Sequence, residues 1–538
     1  MWPLLFMWDA GLLNVLIPTF TVIVTFIIAI NIMRHMTSDL HIPIRDTSKK
    51  HNWHHAKLLS KPCYCSVCEV LMVTGEGVYC DCCGVCSDRK CIKTADRKFN
   101  CKAITLNDKG PMKHHWVKGN LPIGSCCYVC DEDCGSEYGL VDWFCCWCQR
   151  TIHTHCRIHL EEVLCLVCDF GPFRNQLIPP TSVVLTNKRS KVRKKLLLQA
   201  VKPPLWNNWK PLIVLANCKS GNNEGDRILS RFRLILNPAQ VVDLSERSPK
   251  AALEWCSLLG DVRANILVAG GDGTVSWVLN EVNKLNLNPS PGVAILPIGT
   301  GNDLSRVLGW GKEHDSVDDD LTKIMERIQN AELVPLDRWN VDIHPYRHLS
   351  MRLPVQRFMY NYLSIGVDAQ VTLDFHRARE SPFYIYSSRL INKFLYLTYG
   401  TQQVMERGFR DLDKRLELYL DGVLVELPCI ESIVVLNIPS WGAGVPLWNR
   451  EDTEGIPPQS YNDKKLEVVA LYSSFHIAQL QVGLSEPHRV GQAHHVKIKL
   501  KAKTPVQMDG EPWEQQPCEM NITFHNQATV LACRENEK

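Results

Sequence analysis

Several things are missing from this 538-residue chain, and each absence removes a class of protein. Charge of one sign is missing: 60 Lys and Arg face 57 Asp and Glu, a net +3, so no global field points to nucleic acid. Compositional bias is missing too. With 45% hydrophobic and 22% charged residues, 31 Gly and 30 Pro, wholesale disorder and a collagen-like fibre are excluded. Long apolar runs are absent but for one, which excludes a polytopic membrane protein. No G-x-x-x-x-G-K-[ST] occurs, so the chain is not a P-loop NTPase. No G-x-G-x-x-G follows the first strand-like run of the second half, which argues against a dinucleotide site. Cysteine is scarce outside one block: 19 of the 24 lie between Cys63 and Cys168.

At about 150 residues per domain, the length implies three or four domains. A secreted disulfide scaffold would be short and cysteine-dense throughout. One dense block inside a large chain reads instead as metal sites in a reducing compartment.

The single apolar run, Ala10 to Met33, holds 24 residues without a charge. As a helix it would measure roughly 36 Å, enough for a hydrocarbon core of about 30 Å. No cationic segment precedes it and no A-x-A-like cleavage site follows, so a retained anchor is expected rather than a signal peptide. Arg34, Arg45, Lys49 and Lys50 follow it, which leaves the rest of the chain on the cytosolic side of endoplasmic reticulum or plasma membrane. Pro18 and Asn14 leave a re-entrant hairpin open beside a spanning helix.

Within the cysteine block, His114-x12-Cys127-x2-Cys130-x14-Cys145-x2-Cys148-x4-His153-x2-Cys156 is followed by Cys165 and Cys168. Zinc takes four N/S ligands, and Cys-x2-Cys turns supply two at a time. Eight ligands make two interleaved sites. The spacing resembles the C1 domain, a diacylglycerol-binding zinc module. That resemblance implies one site of His114, Cys145, Cys148 and either Cys165 or Cys168, and another of Cys127, Cys130, His153 and Cys156. An earlier copy falls in register: His51, Cys65, Cys68, Cys80, Cys83, Cys91 and Cys101, with Asp88 in place of the second histidine. The expected modules are 50–101, atypical, and 114–168.

From Phe170 to Asn223 there are ten Lys and Arg and no Asp or Glu. This stretch is expected as a basic linker, 169–209, with its densest part at Lys188–Lys195. Beside an anchor, such a run suits anionic phospholipid.

After Pro211 short apolar runs alternate with helical stretches. Leu212–Asn217 ends in Lys219-Ser220-Gly221; Asn265–Ala269 ends in Gly270-Gly271-Asp272-Gly273-Thr274; Val293–Leu296 ends in Gly299-Thr300-Gly301-Asn302-Asp303. Strand, glycine turn and helix, repeated, predict a parallel α/β sheet. Glycines let backbone approach a phosphate chain, and helix N-termini attract it. Two such turns on neighbouring strands would line one crevice.

These turns, with Asn361–Ala369, Leu436–Ile438, Gly442–Gly444 and Gln507–Trp513, resemble the catalytic and accessory domains of eukaryotic diacylglycerol kinases. The module order, an anchor and two C1 copies without EF-hands or ankyrin repeats, is similar to the epsilon-type branch. The resemblance implies a multidomain fold: an N-terminal membrane helix (10–33), two small α+β C1 modules, an α/β catalytic domain (210–345) and a β-rich accessory domain (355–520). It implies phosphorylation of 1,2-diacylglycerol by ATP to phosphatidic acid, attenuating diacylglycerol signalling and feeding phosphatidylinositol resynthesis. Polyunsaturated substrate preference would be read in 385–400. Structural Zn²⁺ and Mg²⁺ with ATP are the implied cofactors; ATP, diacylglycerol and the membrane are the implied partners, and nucleic acid is not one.

By the same resemblance Asn217, Ser220, Gly221, Gly270, Gly271, Gly273, Thr274, Gly299, Thr300, Gly301 and Asn302 cradle the nucleotide. Asp272 acts through Mg²⁺ or water near the phosphates, or caps a turn. Asp303 is a second metal-side carboxylate or the N-cap of its helix. Asp509 and Glu511 are the two candidates for the general base, and their Asp-Gly also fits a hairpin turn.

Overall fold

The computed structural model describes Thr25 and residues 42–45, 50–55, 63–73, 77–106, 110–122, 124–163, 167–186, 195–218, 224–314, 321–346, 353–380, 411–448 and 457–533. The expected anchor at 10–33, save Thr25, lies outside these, as do Cys165, Ser220, Gly221, most of the cationic run and 385–400. Among the described residues no helix is long and apolar enough to cross a membrane.

The chain divides into two units. The smaller comprises Met1–Arg45 with Leu185–Gln199. In it, strand Ile42–Arg45 runs antiparallel to strand Lys195–Val201, with Ile42 opposite Leu198.

The larger unit opens with two modules of one design. In the first, strands Trp53–His55, Gly77–Cys80 and Cys86–Asp88 form an antiparallel sheet, followed by helix Ile92–Lys98. In the second, Trp116–Lys118, Trp143–Cys145 and Thr151–Ile152 repeat the sheet, with helix Thr154–Val163 behind it. Asn120 joins the modules: its side chain accepts the Tyr64 N–H at 2.7 Å and donates to the Tyr64 carbonyl at 2.8 Å.

Strands Val241–Asp243, Leu212–Ala216, Asn265–Gly270 and Gly292–Pro297 lie side by side and parallel in that order. The last three are buried along their whole length, as a sheet covered on both faces requires. The chain's last long strand, Cys518–Ala532, meets this sheet at Val530, opposite Val293. Along its other edge it pairs antiparallel with Glu332–Pro345, and it also pairs with His495–Leu500. A second, antiparallel sheet orders His488–Ala493, Leu466–Leu471, Ser432–Leu436, Tyr362–Gly366, Thr504–Met508 and Glu511–Gln515. Trp339, Val341 and Ile522 from one sheet and Leu363, Ile433 and Val468 from the other form a common core. Thus the expected accessory region is a β-sandwich whose terminal strand returns to the parallel sheet.

Residues 169–209, expected as a linker, are folded at both ends. Leu177, Ile178 and Trp209 are buried, and the Trp209 indole donates to the Leu177 carbonyl at 2.8 Å.

The zinc-type modules pack on helix Glu224–Ile235. Lys102, next to Cys101, is fully buried, and its Nζ donates to the carbonyls of Leu234 at 2.9 Å and Leu236 at 2.8 Å. The same ammonium lies 4.4 Å from the Trp147 ring centre. Arg233 pairs with buried Asp81 at 2.8 Å, and the Gln149 amide donates to the Leu234 carbonyl at 3.1 Å.

Candidate active site

The two glycine turns touch. Gly270 pairs with Pro297 at the ends of adjacent strands, and a Cβ on Gly299 would stand 2.5 Å from the Gly271 Cα. Only glycine permits this approach, so the turns expected to share a crevice do share one backbone wall. Asn217 follows the neighbouring strand Leu212–Ala216, where a Cβ on Gly225 would overlap its carbonyl.

Asp272 is the first residue of helix Asp272–Leu285, yet its carboxylate serves the next turn. Oδ2 accepts the Asp303 N–H and Oδ1 the Leu304 N–H, each at 3.0 Å. It caps helix Asp303–Val307 from outside, while Asn302 holds the N-cap position at φ 54°. Asp303 as N-cap is therefore corrected. As first helical residue it sends its carboxylate elsewhere, to the Ser440 hydroxyl at 2.6 Å, the Tyr362 hydroxyl at 3.1 Å and the Ala443 and Gly444 N–H groups. Gly442, Ala443 and Gly444 all have positive φ, so successive N–H groups converge on this carboxylate as a nest.

Asp509 and Gly510, at φ 50° and 85°, form the expected turn between Thr504–Met508 and Glu511–Gln515. The Asp509 carboxylate is buried. It accepts the N–H groups of Tyr360 at 2.9 Å, Asn361 at 2.7 Å and Tyr362 at 3.2 Å, and the Ser276 hydroxyl at 3.0 Å. Glu511 is exposed and faces the glycine turn: a Cβ on Gly273 would lie 2.6 Å from its Oε1. The two base candidates are thus brought to opposite situations, one saturated with donors and one open at the crevice.

Burial pushes the Asp272 carboxyl up to about 6, and the charge of Asp303 adds to the shift. Burial likewise raises Asp509 to about 6, against the four donors that favour its charged form. A Cβ on Gly301 would stand 3.4 Å from Asp303 Oδ2 and 3.5 Å from Asp272 Oδ2, so these oxygens face one small space. Hard carboxylate oxygens beside a phosphate-type turn suit Mg²⁺.

Of the residues named from sequence, Gly270, Gly271, Asp272, Gly273 and Thr274 meet Gly299, Thr300, Gly301, Asn302 and Asp303 at this crevice, with Glu511 beside them. The Asn361 side chain, whose motif carries no assigned role, reaches Asp272. Arg338, in strand Glu332–Pro345, lies 3.4 Å from the Phe358 ring centre and donates to Asn280 at 3.2 Å.

The metal-type residues assemble as four quartets: His51, Cys80, Cys83 and Cys101; Cys65, Cys68, Asp88 and Cys91; His114, Cys145, Cys148 and Cys168; Cys127, Cys130, His153 and Cys156. Zn–S bonds of about 2.3 Å and Zn–N bonds of about 2.0 Å at tetrahedral angles give ligand spacings of roughly 3.5–3.8 Å. Observed spacings are similar: Cys80 to Cys101 3.6 Å, Cys148 to His114 3.4 Å, Cys145 to Cys168 4.0 Å and Cys130 to His153 3.3 Å. His51 and His153 face their quartets with Nδ1, while Nε2 lies 3.2 and 3.1 Å from a backbone carbonyl, the outer contact of a metal-bound imidazole. The quartets fit zinc. Cys168 completes the third because its N–H bonds the Met112 carbonyl, which lays 167–168 beside 112–113 and next to His114.

Comparison with known families places the catalytic and accessory halves. A family described as "Diacylglycerol kinase catalytic domain" matches residues 211–337, and "Diacylglycerol kinase accessory domain" matches 358–512. The chain is 33% identical to "Probable diacylglycerol kinase 3" of Caenorhabditis elegans over 92% of its own length and 66% of the relative's. It is 30% identical to "Diacylglycerol kinase 1" of Arabidopsis thaliana over 89% of this chain and 83% of that one. It is 32% identical to "Diacylglycerol kinase iota" of Mus musculus over 87% of this chain and 47% of the mouse protein. These relatives carry designations other than epsilon.

Proposed function

The chain belongs to the diacylglycerol kinase family and is a lipid kinase that phosphorylates diacylglycerol to phosphatidic acid, and we propose that its reaction is carried by the paired glycine turns with Glu511 as the base. The observation that carries this reading is the contact of Gly271 with Gly299, with Glu511 set against Gly273.

The γ-phosphoryl of ATP lies along the turns, where backbone N–H groups and the start of helix Asp272–Leu285 favour its charge. Asp272 and Asp303 are the residues that would hold Mg²⁺, which when bound neutralises phosphate charge. Glu511 removes the proton from the primary hydroxyl of a 1,2-diacylglycerol as that oxygen attacks phosphorus. The bond to the ADP oxygen breaks, and ADP leaves. Asp509 is set aside because its carboxylate holds the Tyr360–Tyr362 turn in place, whereas Glu511 is exposed beside Gly273.

Zn²⁺ in the four quartets is structural in this reading. Attachment to the cytosolic face of endoplasmic reticulum or plasma membrane rests on the apolar 10–33 segment and the Lys188–Lys195 run. The epsilon-type assignment and a preference for polyunsaturated chains rest on module order and on 385–400 alone.

The test is product identification with the full chain in detergent, Mg²⁺ and ATP against diacylglycerols of differing acyl chains and NAD. Phosphatidic acid from the lipids supports the reading. Phosphorylation of NAD alone overturns it.

A further inference from the structure

We infer that Asn361 is a positioning residue that holds Asp272 in its working orientation from the accessory side of the crevice. This rests on the lipid-kinase reading of the site above.

Asn361 sits in the turn Tyr360–Tyr362, between strands Val355–Met359 and Tyr362–Gly366, and is 1% exposed. Its Nδ2 donates to Asp272 Oδ1 at 3.0 Å. Among the described residues, Asp272 otherwise receives only N–H groups from helix Asp303–Val307, a five-residue element on its own side of the crevice. The amide of Asn361 is therefore the donor that fixes this carboxylate relative to the sandwich.

The turn that carries Asn361 is itself held from two sides. The Asp509 carboxylate takes all three of its N–H groups. On the other side Asn437 donates its N–H to the Asn361 carbonyl at 2.9 Å and its amide to the Tyr360 carbonyl at 2.6 Å. The Trp339 indole in turn donates to Asn437 Oδ1 at 2.8 Å, which sets the amide orientation. A side chain on so constrained a turn has little freedom, and its hydrogen bond loses little entropy on forming.

One further contact makes the turn a reader of both nucleotide-side carboxylates. The next residue, Tyr362, donates its hydroxyl to Asp303 Oδ2. Asn361 Oδ1 is buried and accepts no hydrogen bond from the described residues, so the side chain is placed for its donor face alone. A packing asparagine in a β-turn would be satisfied locally. This one spends its amide on a carboxylate 89 residues away.

The two carboxylates of the hairpin take separate parts. Asp509 builds the turn that aims Asn361, and Glu511 is exposed at the crevice beside Gly273.

The experiment compares full-length wild type with Asn361→Asp, an isostere that keeps the shape and loses the donor, and with Asn361→Ala. Initial rates are measured in mixed micelles over ATP and diacylglycerol. ADP binding and thermal midpoint are measured on the same preparations. Both variants are expected to lose at least ~10-fold in kcat, with KM for both substrates and ADP affinity within ~3-fold of wild type. Asn361→Asp is expected to be the worse of the two, because it sets a second carboxylate against Asp272. Unchanged kcat in Asn361→Asp overturns the positioning role, and so does a loss confined to KM or to thermal midpoint. An inactive wild type would instead sink the kinase reading.

Discussion

The ammonium of Lys102 stands over the indole of Trp147, 4.4 Å from its centre, and caps the last carbonyls of helix Glu224–Ile235. Lys102 follows a ligand-type cysteine of the first module, and Trp147 lies between two of the second. One buried cation therefore ties both modules to the C-terminal end of a helix whose N-terminal end adjoins Asn217.

Replacing Lys102 by Met keeps most of the volume and leaves those carbonyls without their donor. The expected loss is about 2–4 kcal/mol, from unsatisfied buried acceptors and the lost cation–π contact. Thermal unfolding with intrinsic fluorescence measures it. An unaltered midpoint would mean that the modules do not depend on this contact.

Zinc content should approach about four ions per chain, one per quartet. Asp88 is the one oxygen donor among the quartets, and its carboxylate lies 3.1 Å from Cys68 Sγ. Asp88→Ala should lower the content by about one ion, read by elemental analysis of the protein kept under reducing conditions. Chelation should unfold the modules, since structural zinc contributes folding energy directly.

Glu467 is fully buried in the second sheet, between Gln459 at 2.8 Å and Gln492 at 2.9 Å. Burial pushes its carboxyl up to about 8. The folded chain thus holds a proton there at pH values where the unfolded chain, near 4.5, has released it. Stability from this group is fully present below about 4.5 and is lost as pH rises through the window to about 8. Glu467→Gln should flatten that decline, and denaturant melts at pH 6 and pH 8.5 should show the variant gaining more on wild type at the higher pH. An equal difference at both would refute the shift.

The two hairpin carboxylates should separate by phenotype. Glu511→Gln should lower kcat by about 10²-fold or more, the range for loss of a general base, with thermal midpoint unmoved. Asp509→Asn should lower the midpoint, because the Tyr360–Tyr362 N–H groups lose their charged acceptor. Wild-type turnover in Glu511→Gln would return the base to another group.

Local signals carried much of this into the sequence. Cys-x2-Cys turns and a histidine at fixed spacing announce their quartets, and GGDGT and GTGND announce glycine turns after buried strands, because each depends on neighbours within a few residues. What stayed hidden depends on distant partners. The place of Cys168 beside His114 comes from the pairing of 167–168 with 112–113. Asp303 could not be told from an N-cap until the 442–444 nest was seen to face it. The return of Cys518–Ala532 to the parallel sheet, the burial of Lys102 and the saturation of Asp509 likewise join residues far apart in sequence, with no periodicity to mark them.

The most direct measurement is transfer of labelled γ-phosphate from ATP to diacylglycerol by the full chain and by Asp272→Asn, with zinc content and ADP binding checked on both. The account predicts labelled phosphatidic acid from wild type and a loss of about 10²–10³-fold in the variant with its fold intact. Equal rates in the two proteins would contradict it.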